Sequence, residues 1–402
     1  MSDKPAVVYL SYDGMAEPLG QSQVMAYLEG LAKDYAIHIV SFEKRRDRDD
    51  PAKMAYVRDR LARAGIGWTS LHYHKTPSAP ATAYDIMVGA LVATWIALRG
   101  RAKIVHARSY PPALMALPVK YLTGARFLFD MRGLWADERV DGGLWPPGGT
   151  LYRATKALER RFLRSADQVV TLTHASKREI AGFAYLQPSP PPIAVIPTCA
   201  NLEMFTPQTR AAGPFTFGYV GSLGTWYLFD ETMAFFRALL DQEPAARMLI
   251  VNRADHDAIR GAAARAGVPA DRLEIVAAEH RQVPELVARM DAAAALIKPA
   301  YSKIASAPTK LAEYLGCGVP CLGNVGVGDM EQILEGGQAG LVLRDFSQES
   351  LAAGAKQLLG LARDPLTRLR CVEMARSLFS LDRGVADYAT IYRALSATNL
   401  NR

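Results

Sequence analysis

The sequence predicts an α/β chain built from two doubly wound domains, and three observations predict it. Short apolar runs alternate with helical patterns through the first half, the alternation restarts at residues 215–220, and a proline-rich segment lies between the halves. Buried runs of that length separated by helices need crossover connections, which give parallel sheets covered on both faces. The 402 residues, half of them apolar, are too many for one typical domain and enough for two cores. No repeat of solenoid period is present, so the halves share a plan and not a sequence.

The first strand reads over residues 6–10 and is followed by a loop through Asp13 and Gly14. A helix over 21–32 follows, with Gly20-Gln21-Ser22-Gln23 as its amino-terminal turn. Further strand and helix pairs fall at 37–40 with 51–64, 104–105 with 111–122, 127–129 with 151–163, and 169–172 with 176–183. The longest apolar helix, 86–98, falls short of the roughly 20 residues a membrane span needs. His106 and Arg108 stand two residues apart at a strand end, hence on one side. Asp130 and Arg132 follow the next strand, with Trp135, Glu138 and Arg139 beyond; opposite charges at that spacing form either a structural ion pair or a ligand contact. Trp135 and Trp145 bracket a turn-rich stretch expected to be exposed, covering an acceptor or touching a bilayer interface.

Gln187 to Pro192 carries four prolines, and residues 197–214 read as a connector. The expected domains are 1–205 and 206–380, with 381–402 holding a last helix near 384–395. In the second half Gly218, Gly221 and Gly224 recur every third residue. That is not the GxGxxG of dinucleotide enzymes, so a nicotinamide enzyme loses support. The apolar run 292–297 ends at Lys298-Pro299. A loop of small and hydroxyl residues follows, with Ser302, Ser306, Pro308 and Thr309, then a helix containing Leu311, Glu313 and Leu315, closed by Gly316 and Gly318. A helix amino terminus offers free N–H groups and a partial positive charge, which suits a diphosphate, and Lys298, Lys303 and Lys310 add cations. Glu313 is placed to accept from a hydroxyl, such as a ribose; the bland alternative is an ordinary helix with solvated lysines.

Composition narrows the setting. The net charge of +7 is uneven: residues 1–200 hold 26 Lys and Arg against 18 Asp and Glu, a net +8, leaving −1 for the rest. The positives are scattered without interleaved aromatics, which argues against nucleic acid and for an anionic lipid surface, a phosphate-bearing acceptor or a merely solvated face. Cys199, Cys317, Cys321 and Cys371 form no paired framework, as in a reducing compartment. The start shows no charged, apolar and cleavage regions in sequence, so no signal peptide and a cytoplasmic protein are expected. Asp47-Arg48-Asp49 looks like a metal-binding DxD, but it lies in the charge run 43–50 and reads as a solvated loop.

SAPTKLAEYLGCGVPCL, beginning at Ser306, resembles the donor-binding segment of glycosyltransferase family 4, retaining nucleotide-sugar enzymes of the GT-B fold. SYDGMAEPLGQSQVMAYLEGLA, IVHARSYPPALMAL, FDMRGLWADERVDGGLW, IPTCANLEMFTP and GYVGSLGTWYLFDE resemble, in order, further stretches of relatives that build bacterial surface polysaccharides. The resemblance implies two facing Rossmann-like domains with a central cleft, and a hexosyltransferase independent of metal and of any cofactor. Its donor would be a nucleotide-diphosphate sugar of UDP or GDP type and its acceptor a glycan or polyprenyl-linked molecule. The basic first half adds an expectation of peripheral contact with an anionic membrane, at the inner face of the plasma membrane. Carried onto this chain, the donor contacts are Gly20, Gln21, Gly221, Ser222, Glu279, His280, Gln282, Lys298, Ser306, Pro308, Thr309, Lys310 and Glu313. His106, Arg108 and Lys310 are the catalytic candidates, and Asp13, Asp130, Arg132, Trp135 and Glu138 the acceptor contacts.

Three positions depart from the family. Arg108 stands where many relatives have a second His, and Ser222, Leu223 and Gly224 stand where they carry an Arg and a Lys that clamp the pyrophosphate. Ala305 replaces the first of two glutamates seven residues apart, of which Glu313 matches the second. These departures leave open a catalytically impaired nucleotide-sugar-binding protein; a nucleotide-sugar 2-epimerase on the same shell is a further alternative.

Overall fold

The computed structural model describes residues 4–209 and 212–397, which form two compact units. The first holds residues 4–196 and 381–397, and the second is Pro197–Ser380. The first unit is a seven-stranded parallel sheet of β1 (Ala6–Ser11), β2 (Ala36–Glu43), β3 (Gly67–His72), β4 (Ile104–Arg108), β5 (Arg126–Asp130), β6 (Gln168–Thr171) and β7 (Ile193–Val195), in the order β3-β2-β1-β4-β5-β6-β7. The strand order reverses between β1 and β4, which is where an open α/β sheet parts its loops to receive a ligand. Both faces of β4 and β5 are buried, although β4 also buries His106 and Arg108.

Local chemistry explains several helix boundaries. Asp50 caps the helix Pro51–Arg63 by accepting from the Lys53 N–H at 3.0 Å, and Pro51 opens it where no N–H is needed. The helix α1 (Ser78–Gly100) is 23 residues long, against the 13 expected. It is long and apolar enough to cross a membrane by length and composition, although a third of its most apolar window is buried. The helix α2 (Tyr110–Thr123) begins on two prolines and ends at Gly124, whose φ of 72° the absent side chain permits.

Two expectations for this unit are corrected. The helix after β1 starts at Pro18 rather than Gln21, and passes through a π turn at Gln21–Met25 before Ala26–Leu31. Gly20 therefore lies inside the first turn, where a Cβ would sit 2.1 Å from the Gly14 carbonyl oxygen. The charge run 43–50 is not a solvated loop. Glu43 is fully buried and accepts from the N–H groups of Met15 (2.7 Å) and Ala16 (3.2 Å), so it fixes the loop after β1. Asp47 is buried too, paired with Lys53 and Arg46.

The second unit is a six-stranded parallel sheet of β8 (Thr216–Val220), β9 (Arg247–Val251), β10 (Leu273–Val276), β11 (Ala292–Ala294), β12 (Cys321–Asn324) and β13 (Gly340–Leu343), in the order β10-β9-β8-β11-β12-β13. Separate apolar layers, one around Phe217, Phe236 and Met248 and another around Val287, Leu311 and Leu334, cover its two faces. Its order reverses between β8 and β11. Residues 197–205 belong to this unit: Ala200 bridges Ser380, and Phe205 lies in its core.

The helix α3 (Thr309–Gly316) follows β11, and Gly318 at φ 77° ends it, with the Val319 N–H returning to the Tyr314 carbonyl at 2.9 Å. The last helix, α4 (Leu381–Ala397), packs in the first unit against Ala26–Leu31 and β4.

Candidate functional site

In the second unit the loops after β8 and β11 meet. The Lys298 N–H donates to the Trp226 carbonyl at 2.9 Å and Tyr227 bridges Ile297, so the two loops are knitted together. The Tyr314 hydroxyl accepts from the Val220 N–H at 2.8 Å and so ties α3 to the end of β8. The Asn324 side chain brackets Ile297, accepting from its N–H at 2.8 Å and donating to its carbonyl at 2.9 Å. These bonds hold the entrance of α3 against the β8 loop.

Lys310 is the centre of that entrance. It is buried, and its ammonium lies over the rings of Tyr227 (3.8 Å) and Tyr219 (4.6 Å) with no hydrogen-bond acceptor. Burial lowers its pKa to about 7, because an ammonium loses its hydration there and the rings replace little of it. Gly221 makes the room: at φ 130°, any Cβ on it would sit 3.0 Å from the Lys310 nitrogen. Its own N–H and carbonyl are taken by Val251 and Asn252, so it shapes the site rather than offering an amide. Ser222 is exposed. Ser306, Pro308 and Thr309 are half-buried at the helix start, and no side chain caps α3.

The three lysines separate clearly. Lys298 is exposed, whereas Lys303 is buried with its nitrogen 3.5 Å above the Trp226 ring. Sequence reasoning missed the aromatic residues that hold the cations, Tyr219, Trp226 and Tyr227. They stand beside the glycines of GYVGSLGTWY, and that adjacency was the available signal.

Glu313 accepts from His280 Nε2 at 3.3 Å, and this contact raises the His280 pKa against the effect of its partial burial. Glu279 and Gln282 are occupied otherwise: they cap each other reciprocally, and Arg253 donates to Glu279 at 3.1 Å. They set the loop's shape, and His280 is its member that reaches Glu313. Ala305 is buried at the end of the turn Tyr301–Ala305. If Glu313 serves the ribose of a nucleotide, Glu313→Ala is expected to weaken nucleotide-diphosphate affinity by roughly tenfold or more. It is also expected to return the His280 pKa toward its ordinary value; unchanged calorimetric affinity would remove Glu313 from the site.

In the first unit the carboxyl ends of β1, β4 and β5 bring Asp13, Arg108, Asp130 and Arg132 together. Two residues there that are not glycine, Ser109 (φ 72°) and Arg132 (φ 59°), take positive φ one and two residues after adjacent strands, a strain that clusters at functional sites. Arg108 is buried, and its Nε and Nη1 have no hydrogen-bond partner; the nearest carboxylate, on half-exposed Asp13, is 3.8 Å from Nε. Asp130 lies 3.8 Å from both Arg132 and His106 and accepts from the Tyr388 hydroxyl at 3.0 Å. Arg108 and Arg132 thus each face a carboxylate at 3.8 Å.

His106 is buried rather than exposed at the rim of the sheet. It is 2% exposed, shares a hydrogen bond of 2.8 Å with Tyr392 of α4, and is wedged between Tyr9 and Tyr388; burial lowers its pKa. Its Nδ1 thus meets α4, while its Nε2 faces Asp130 at 3.8 Å. Gln21 turns its amide onto the Ala16 carbonyl at 3.3 Å. The turn-rich stretch is exposed at residues 143–144 and 146–148 as expected, but Trp135 and Trp145 themselves are half-buried, edge to face at 5.3 Å, with Arg139 over Trp135; Glu138 is half-buried in the helix Trp135–Asp141.

Comparison with known proteins gives the family and the fold. Residues 20–199 match the model of the glycosyl transferase 4-like domain, and residues 202–377 match that of the glycosyl transferases group 1. The chain belongs to the group 1 glycosyltransferases. Its fold is GT-B: sucrose-phosphate synthase from Thermosynechococcus elongatus superposes with a TM-score of 0.72 at 15% identity, over 98% of this chain and 100% of that one. HepE of Anabaena, solved in complex with UDP-glucose, gives 0.65 at 14% identity over 97% and 99%. WaaG, a glycosyltransferase involved in lipopolysaccharide biosynthesis, gives 0.63 at 16% over 96% and 99%. No curated protein matches this glycosyltransferase by sequence.

Proposed function

We propose that this glycosyltransferase moves a hexose, with retention, from a UDP- or GDP-linked donor to a glycan or polyprenyl-linked acceptor of a cell-surface polysaccharide, at the cytoplasmic face of the membrane. The observation that carries the reading is the ammonium of Lys310, buried without an acceptor at the start of α3 and one turn from Glu313. A diphosphate supplies the missing acceptors, and the cation then faces the charge that grows as the diphosphate leaves. HepE, solved with UDP and with UDP-glucose, and WaaG, involved in lipopolysaccharide biosynthesis, support the donor class and the setting.

In the reaction the bond from the anomeric carbon to the diphosphate oxygen breaks as the acceptor oxygen bonds that carbon on the same face. The acceptor's proton passes to the departing phosphate oxygen. No protein nucleophile and no metal enter this scheme, so the protein's share is positioning and electrostatic stabilisation. The test is a thermal-shift series with UDP, GDP and their sugars, followed by NMR assignment of the product anomer. A nucleotide diphosphate that binds only the folded form raises the melting point; no shift with any of them would defeat the proposal. Buried Ala305 favours a second reading, a protein that binds nucleotide sugar without transfer. Binding without turnover across a panel of acceptors would establish it.

A further inference from the structure

The helix α1 is amphipathic in the wrong sense for a soluble protein. Its buried stripe is Ala81, Asp85, Gly89, Ala93 and Ala97, small residues that let it lie close on its neighbours. Its large apolar side chains face outward: Tyr84, Met87, Leu91, Trp95 and Leu98 are between 52% and 67% exposed. They recur at spacings of three and four, so they form one stripe, which at 1.5 Å per residue runs for about 21 Å. A contiguous exposed stripe of that kind marks a surface that something covers.

The surrounding charge says what covers it. Asp85 is the helix's one carboxylate; it is fully buried and accepts from the Tyr12 hydroxyl at 2.9 Å and the His74 N–H at 3.0 Å. Lys75 is exposed before the helix, and Arg99, Arg101 and Lys103 are exposed at its end. Because Ile104 of β4 pairs with Arg126 of β5, the ends of α1 and α2 both fall at the amino ends of the sheet's strands. Tyr121 and Leu122, at the end of α2, are exposed as well, and Tyr121 shares a hydrogen bond of 3.1 Å with Ser165. Tryptophan, tyrosine and leucine beside unscreened cations make up the side-chain set of a bilayer interface.

We propose that the exposed face of α1 docks the protein on an anionic lipid bilayer, with the helix lying in the plane of the headgroups. Spanning is excluded by the packing: Asp85 and the small-residue stripe are held against the unit's own core. The inference does not depend on the acceptor being lipid-linked, since it rests on a face of the first unit that carries none of the proposed site residues.

The test is flotation of the full chain, without donor or acceptor, with vesicles of phosphatidylcholine alone or mixed with phosphatidylglycerol. The wild type is expected to float with the anionic vesicles and stay behind with the neutral ones. Leu91→Gln/Trp95→Gln is expected to lower binding by about tenfold or more. Arg99→Gln/Arg101→Gln/Lys103→Gln is expected to lower it by roughly a hundredfold, at about fivefold per cation. Both variants should keep the wild-type melting point, since each changes only exposed side chains. Brominated lipid should quench wild-type fluorescence more than that of Trp95→Phe. Equal recovery with neutral and anionic vesicles, or none with either, would overturn the proposal. So would a lipid-free dimer in sedimentation that Leu91→Gln/Trp95→Gln abolishes, since the stripe would then belong to a second copy.

Discussion

Lys310→Met is expected to raise the melting point of the ligand-free protein while lowering turnover by two to three orders of magnitude. The two effects have one cause. The ammonium is buried between Tyr219 and Tyr227 without an acceptor, so the empty site bears a cost that a thioether of similar length does not. The same ammonium is what the departing diphosphate needs. A residue that only packs would lower stability and activity together when removed.

The sign of the pH dependence follows. Lysine ordinarily titrates near 10.5, and here burial lowers the pKa to about 7. Between those values the unfolded chain holds a proton that the folded chain lacks, so stability rises with pH across that window and is lost again as pH falls toward 7. Lys310→Met should lack this rise. A diphosphate restores the charge, so at pH 8 to 9 binding of UDP or GDP should take up about one proton, visible in calorimetry as a dependence on the buffer's ionisation enthalpy. Above pH 7 the affinity should fall as pH rises. Buffer-independent heats, or a melting point lowered by Lys310→Met, would show that Lys310 does not meet the ligand.

Much of the fold was legible because parallel strands buried on both faces announce themselves as apolar runs; β1 and β5 are clear cases. β3 escaped because its residues are mostly half-exposed at the sheet edge, leaving no such run. The length of α1 was hidden by its inverted pattern, with alanine and glycine inward and large residues outward, so only its central apolar block stood out. The site was legible where chemistry sits in one segment: Lys310 and Glu313 share one turn of a helix entered from a hydroxyl-rich loop. It was not legible where partners come from far along the chain. Nothing near His106 in sequence reveals Tyr392, 286 residues away, as its hydrogen-bond partner. Likewise, nothing in the acidic run reveals that Glu43 holds the backbone of Met15 and Ala16.

That long-range partnership supports the second large expectation, that Asp130→Ala will destabilise the first unit by about 3–5 kcal/mol. Asp130 is the buried carboxylate facing Arg132 and His106, each at 3.8 Å, and the acceptor of Tyr388 from α4. Burial alone would raise its pKa, yet the carboxyl is held below its usual value, chiefly by the charge of Arg132. Its stabilisation is therefore present above about pH 4 and lost as the carboxylate is protonated on acidification. Removing it leaves the Arg132 guanidinium without its carboxylate and the Tyr388 hydroxyl without its acceptor. At about 2–4 °C per kcal/mol, the unit's unfolding transition should fall by roughly 6–20 °C, while a calorimetric transition of the second unit stays in place. Asp130→Asn keeps an acceptor for Tyr388 and should cost less. The deciding variant is Asp130→Ala/Arg132→Met: with no uncompensated charge left, it should recover much of what Asp130→Ala loses. A double variant no more stable than Asp130→Ala would mean that the pair's charges are not what fastens α4 to the sheet.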